Sequence, residues 1–364
     1  MIINLSNKTF REIFNDEQFF LPIRWNGVNY VETIEDLYEK YLTKLNKYAT
    51  TGKPNEHIVD IKTIKSSCGL ITNAIKEYLN GFPSKAYNQF EKLMKVLTRY
   101  PLKTNYNQQY NQADIPKNLF RVVCVDDLAP YNRARLFHTP YNLRSKVATC
   151  RYSIAGYPSL YLGTSIELCC EEIHHNPFSK YALASRFEVE ENQNYSNTEI
   201  DIIDLSVKPQ FFFEELDDYI NYNNHYYKYL DSSTTMIAYL LWYPLISVCS
   251  YIRTSKLNPF AAEYIIPQLL MQWIRIEMSK AKNDENDKLI GIKYFSCSSI
   301  KASNMGFNYV FPTSGVQYSS EYPYCPILMQ TFRLTRPQFI HEYKDLNDCE
   351  MRLINDKELK FINK

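Results

Sequence analysis

The spacing of apolar and polar positions divides the chain into a helical first third and a mixed remainder. From Thr33 to Tyr48 (TIEDLYEKYLTKLNKY), Ile34, Leu37, Tyr38, Tyr41, Leu42 and Leu45 recur at three- and four-residue steps, which predicts a helix with one apolar face. Ile64 to Leu79 repeats the pattern through Cys68, Ile71, Ile75 and Tyr78, and Asn80-Gly81 ends it. Pro83 opens a third helix that runs through Leu97. The stretch 102–118 (LKTNYNQQYNQADIPKN), rich in Asn and Gln and poor in aliphatics, reads as a linker. Beyond it, short apolar runs predict strands at 119–125, 151–153, 159–163, 181–189, 200–205, 290–296 and 307–311. Helices are predicted among them at 165–175, 211–230, 236–252 and 263–280. Because strands and helices do not alternate regularly, the pattern favours an α+β domain with a mixed sheet over a doubly wound parallel one.

One run changes the question of environment. Met236 to Ile252 (MIAYLLWYPLISVCSYI) approaches the length of a membrane span, but it carries Tyr239, Tyr243, Pro244, Ser247, Ser250 and Tyr251 and lacks a strong Lys/Arg asymmetry at its flanks. A buried core helix is the expectation, with no membrane contact. Composition agrees: 45% hydrophobic and 22% charged residues describe a globular chain, and 364 residues suffice for two domains. The 41 Lys and Arg balance 40 Asp and Glu, so no global field exists to hold a nucleic acid. With 31 Tyr and 20 Phe, rings supply much of the apolar area, and each buried hydroxyl needs a partner. The nine cysteines form no C-x-x-C pair, which argues against a zinc site or a disulfide framework. The N-terminal MIINLSNKTFREIF has no basic n-region or apolar h-region, so a reducing cytoplasmic setting is expected.

Candidate chemistry gathers after Gly163. Thr164 followed by Glu167 has capping-box spacing, so a helix should begin at Ser165, with Ile166, Cys169, Cys170 and Ile173 as its buried stripe. Glu171 then lies opposite that stripe and Glu172 at its border. Either both belong to a solvated face with His174 and His175, or Glu172 is the carboxylate that enters a pocket. Arg151 is placed at the start of a strand, with Tyr161 in the next strand across a turn, while Arg121 is the odd polar residue of an apolar strand (LFRVV). A lone arginine is by default a surface residue; two arginines near a tyrosine and a carboxylate suit a pyrophosphate ligand. Glu263 reads as structural, its charge favoured at a helix N-terminus.

The stretches LFRVV, RYSIAGYPSLYLGTSIELCCEEI, NPFAAEYIIPQLL, and GIKYFS with GFNYVF together resemble the RES-domain family, from about residue 118 to about 339. The resemblance implies an ADP-ribosyltransferase-like fold and an enzyme that consumes NAD by hydrolysis or phosphorolysis, acting as a toxin or anti-phage effector. It implies Glu172, Arg151 and Ser296 as catalytic residues and Arg121, Arg151, Tyr161 and Ser296 as ligand-binding ones, with Ser298 and Ser299 competing for the serine role. NAD is then the substrate, with water or inorganic phosphate as the acceptor, and neither a metal nor a further cofactor is required. The alternatives are ADP-ribosyl transfer to a target protein and a nucleotide-binding module without turnover. Two departures stand out: a long separation between Glu172 and Ser296, caused by an insertion at about 192–257, and Val122 in place of an aromatic or basic residue. The expected organisation is a helical domain at 1–110, a RES domain at 111–340 and a tail at 341–364. Control by an antitoxin or activating partner through the first domain is expected, as is assembly of identical chains.

Overall fold

The computed structural model describes residues 2–50, 58–100, 103–106, 115–174, 181–190, 199–213, 232–255, 258–280, 288–313, 323–340 and 351–352. The chain forms two compact units: Met1–Leu102 with Val207–Trp273, and Lys103–Ser206 with Ile274–Lys364. Against the expected boundaries at 110 and 340, residues 103–110 and 341–364 group with the second unit, and the segment 207–273 groups with the first. That segment carries the most apolar helix of the chain, which needs cover on every side. Most of the expected tail, and the 214–230 part of a predicted helix, lie outside the described residues.

The first unit contains β1 (Ile2–Asn4), β2 (Ala49–Thr50) and β3 (Ile58–Asp60), paired antiparallel with β1 central, so it is not purely helical. Its helices, numbered along the chain, are α1 (Asn7–Phe14), α2 (Tyr30–Asn46), α3 (Ile61–Leu79), α4 (Pro83–Leu97) and α6 (Ser232–Cys249). The predicted 236–252 helix is α6, and every residue from Met236 to Tyr251 is buried. It packs against α3, α4 and β3. No helix among the described residues is long and apolar enough to cross a membrane.

Tyrosines of α2 line α6. Pro244 has no N–H, which orphans the carbonyl of Leu240 four residues earlier. The Tyr41 hydroxyl donates to that carbonyl at 3.0 Å, Tyr38 donates to the Pro244 carbonyl at 2.7 Å, and Tyr30 to that of Val248 at 3.4 Å. Leu240, Pro244 and Val248 lie at four-residue steps, so the hydroxyls follow one side of the helix. Trp242 Nε1 reaches the Tyr100 carbonyl at 2.6 Å and the Tyr243 hydroxyl that of Phe19 at 3.1 Å. The polar tips of the aromatic core are thus matched to backbone oxygens. Glu263, 2% exposed, accepts hydrogen bonds from Trp25 Nε1 at 3.0 Å and from the Thr254 N–H at 3.0 Å, a structural staple in this unit.

The second unit is a mixed α+β structure around one sheet. Its strands are β4 (Lys103–Tyr106), β5 (Leu119–Val125), β6 (Ser159–Gly163), β7 (Tyr181–Val189), β8 (Glu199–Leu205), β9 (Lys288–Phe295), β10 (Phe307–Pro312), β11 (Phe332–Thr335), β12 (Gln338–Phe339) and β13 (Met351–Arg352). They run in the order β13-β11-β7-β5-β6-β10-β9-β8-β4, with β12 also on β7. Among the described pairings only β8 with β9 is parallel. Asp201 and Asp204 of β8 pair with Lys288 and Lys293 of β9, each at 3.1 Å. The expected linker contributes β4, an edge strand, and the expected strand at 151–153 is a turn. Helix α5 (Ile166–Glu172) lies on β5 and β6, where Val122, Ala182 and Ala184 meet Cys169. Small alanines on β7 let the helix come close. Helix α7 (Ile265–Lys280), which enters this unit only at Ile274, starts two residues before Pro267, which therefore sits in the first turn, where a missing N–H costs nothing; α8 (Pro326–Thr331) precedes β11.

Candidate active site

The junction of β6 and α5 is built by Thr164 and Ser165, with Gly306 and Phe307 opposite. Ser165, not Thr164, caps the helix: its hydroxyl accepts from the Leu168 N–H at 3.1 Å. Thr164 instead bonds the start of β10, accepting from the Phe307 N–H at 2.9 Å through its hydroxyl and donating its own N–H to the Phe307 carbonyl at 3.0 Å. Gly306, at φ +127°, permits this, since a Cβ there would lie 2.2 Å from the Thr164 hydroxyl. Helix α5 ends at Glu172, followed by Ile173 and by His174 in the left-handed conformation at φ +50°. The predicted stripe is only half right. Leu168 and Cys169 are buried, Ile166 and Cys170 partly so, and Ile173 is exposed, because the helix stops before Ile173 can turn inward. His175 lies outside the described residues.

The two carboxylates at the end of α5 diverge. Glu171 faces Lys301 at 3.9 Å. Glu172 Oε1 accepts from Asn308 Nδ2 at 2.6 Å, while Oε2 has no hydrogen-bond partner among the described residues. Asn308 is 5% exposed and stands in β10 between Gly163 of β6 and Tyr294 of β9. Burial pushes the Tyr294 hydroxyl well above the ordinary tyrosine range, and the Glu172 charge adds to this while Arg151 opposes it. Glu172 and Arg151 therefore act on one hydroxyl.

Arg151 is buried in the turn before β6 rather than in a strand. The turn is fastened on two sides: the Tyr161 hydroxyl donates to the Tyr152 carbonyl, and the Tyr152 ring packs 4.7 Å from that of Tyr294. Arg121 lies on β5, its Nη1 buried without a hydrogen-bond partner. Burial, and then the charge of Arg135, hold its guanidinium down to about 10, while Cys169, Cys150 and Tyr161 oppose that shift. It stays protonated at neutral pH. Burial also pushes the Cys169 thiol up to about 12, with Glu172 raising and Arg121 lowering it, so this cysteine is no thiolate nucleophile. Through Tyr294 and Cys169, the electrostatic neighbourhoods of Arg121, Arg151 and Glu172 overlap.

Ser296 bonds within its own turn. It is fully buried one residue past β9, its hydroxyl 2.9 Å from that of Ser298 and accepting from the Ser298 N–H at 3.2 Å. Ser299 accepts from the Ala302 N–H at 3.0 Å, and Ser298 is the one of the three with a half-buried hydroxyl not engaged by a helix or turn N–H. Sequence reasoning missed Asn308 and Tyr294. The available signal was a polar residue inside an apolar strand (GFNYVF), the same signal that singled out Arg121 in LFRVV. No group of three or more His, Cys, Asp or Glu that could hold a metal ion occurs among the described residues, and the eight described cysteines are free thiols.

With this geometry in place, one curated relative stands out. The chain is similar to the protein named "Putative toxin YopC" of Bacillus subtilis (strain 168). The two are 29% identical over 331 residues, which is 87% of this chain and 67% of the relative. A match of that extent reaches beyond either compact unit. No family model and no solved structure matches the chain.

Proposed function

We propose that the β6–α5 junction binds NAD and breaks its nicotinamide–ribose bond. One observation carries the reading: Glu172 is held at one oxygen by Asn308 while the other has no hydrogen-bond partner among the described residues, and its charge and that of the buried Arg121, whose Nη1 is unfilled, both act on Cys169. As the bond between the nicotinamide nitrogen and the ribose carbon breaks, its electron pair neutralises the nicotinamide ring and positive charge builds on the ribose. A carboxylate fixed beside that carbon favours the charged state over the ground state. Arg121 and Arg151 supply planar donors for the diphosphate, Tyr161 a ring wall, and Ser296 or Ser298 a hydroxyl for the nicotinamide side. Water then gives ADP-ribose and a proton; inorganic phosphate gives ADP-ribose-1″-phosphate. Neither route draws on a metal. A relative that bears the name of a toxin accords with an enzyme that drains a dinucleotide its host requires. Such an enzyme needs restraint, and residues 1–110 are the place we assign to a controlling partner.

The test is nicotinamide release from NAD by purified protein, with mass analysis of the nucleotide in phosphate-containing and phosphate-free buffer. Glu172→Gln is expected to lower release by about a hundredfold or more. Label appearing on a protein with little free ADP-ribose would move the reading to ADP-ribosyl transfer. Binding of NAD without release would leave a nucleotide-binding module.

A further inference from the structure

We infer that Asn308 is a positioning residue for Glu172, locking one carboxylate oxygen so that the other faces the ribose; this rests on the reading of the site given above. A carboxylate accepts hydrogen bonds and cannot donate them, so the amide nitrogen of Asn308 faces Oε1 at 2.6 Å and the amide oxygen turns away. The adjoining residue 163 is glycine, where a Cβ would stand 2.7 Å from the Cys169 sulfur, too close without a shift, and at contact distance, 3.4 Å, from Asn308 Oδ1. Asn308 itself is anchored in mid-sheet, registered to Gly163 on one side and Tyr294 on the other.

The tether matters because of where Glu172 sits. It is the last residue of a seven-residue helix, followed by an exposed Ile173 and a left-handed His174, so the helix alone holds its side chain loosely. A free glutamate loses rotamer entropy each time it is aimed, and a group misplaced by about 1 Å can forfeit about a hundredfold in rate. One short bond from a buried, sheet-mounted amide settles the aim in advance. It also assigns roles to the two oxygens: Oε1 is spent on the tether and Oε2, without a partner among the described residues, is left for the ligand.

Full-length Asn308→Ala and Asn308→Asp, compared with wild type in steady-state nicotinamide release, test this. Both are expected to lower kcat by about ten- to a hundredfold with KM within about twofold. Asp is expected to fall at least as far as Ala, since it sets a second acceptor against Glu172; a packing role gives the reverse order, because Asp keeps the shape of Asn. Wild-type kcat in either variant, or a loss carried by KM alone, overturns the inference while leaving the NAD reading intact. Wild-type protein that releases no nicotinamide overturns the NAD reading and the role in turnover with it. Melting temperatures of Asn308→Ala, Glu172→Ala and the double variant then read the tether by itself: non-additive losses uphold it and additive losses overturn it.

Discussion

At the residue scale, the second unit holds a group whose chemistry sets a pH limit on folding. His138 is fully buried, with Nδ1 2.8 Å from the Thr139 carbonyl and Nε2 accepting from the Cys325 N–H at 2.9 Å. That pair of partners fixes the neutral ring with its proton on Nδ1. Burial drives its pKa down to about 3, and the Arg121 charge pushes the same way. An unfolded histidine titrates near about 6.5, so between these values the unfolded chain binds a proton that the folded chain refuses. Stability contributed by the neutral ring is thus complete above the unfolded pKa and declines as pH falls toward the folded one. The expected loss between pH 7 and pH 5 is about 2 kcal/mol, a sizeable part of the roughly 5–15 kcal/mol that holds most domains folded. Chemical denaturation at several pH values reads this directly. His138→Gln should be less stable at pH 7 and flatter with pH from 7 to 5; a wild-type slope in the variant would place the titrating group elsewhere.

At the element scale, α6 and its tyrosines make a compact test of backbone accounting. Tyr41 donates to the one carbonyl that Pro244 leaves without its helical partner. Removing the hydroxyl in Tyr41→Phe strands a buried acceptor, a loss of about 1–3 kcal/mol. Pro244→Ala supplies the missing N–H, so Tyr41→Phe should cost less in that background, and equal costs in both would show that the proline gap is not what the hydroxyl fills. The existence of α6 was readable from its run of apolar residues, as were α2, α3 and α4 from their periodicity and β5, β6, β7, β8 and β10 from their apolar runs. What escaped has local causes. Strand β4 (KTNY) is polar because it is an edge strand, where no apolar face is demanded. Strands β1, β2 and β3 are too short to show a period. Arg151 to Ser153 looked extended, but its hydrogen bonds and its Tyr152 ring serve a turn. In the candidate site, the helical angle set Glu172 apart from Glu171 but left a solvated face and a pocket both open, and its partner was not legible, because Asn308 reaches it only through a strand pairing 136 residues away in sequence.

At the scale of the whole molecule, the 207–273 segment ties chain order to chain stability. It leaves the sheet of the second unit after β8 and rejoins that unit within α7, and between them it places α6 among the N-terminal helices. Helix α6 is apolar around its whole circumference, so no choice of face lets it rest half in water. Burial of Met236, Ile237, Leu240, Leu241, Trp242, Leu245, Ile246 and Val248 contributes on the order of 15 kcal/mol by area bookkeeping, as much as a typical domain's entire net stability. A chain begun at Lys103 retains α6 and loses α2, α3 and α4, which cover it. It should accumulate as aggregates, and supplying residues 1–102 as a separate co-expressed chain should restore soluble material that purifies as a complex of the two pieces. A soluble, monodisperse 103–364 chain with a cooperative melt would show that α6 finds its cover without them. The aromatic-rich composition then has a physical reason: rings with polar tips can seal an all-apolar helix containing a proline and still satisfy the carbonyl that the proline leaves open.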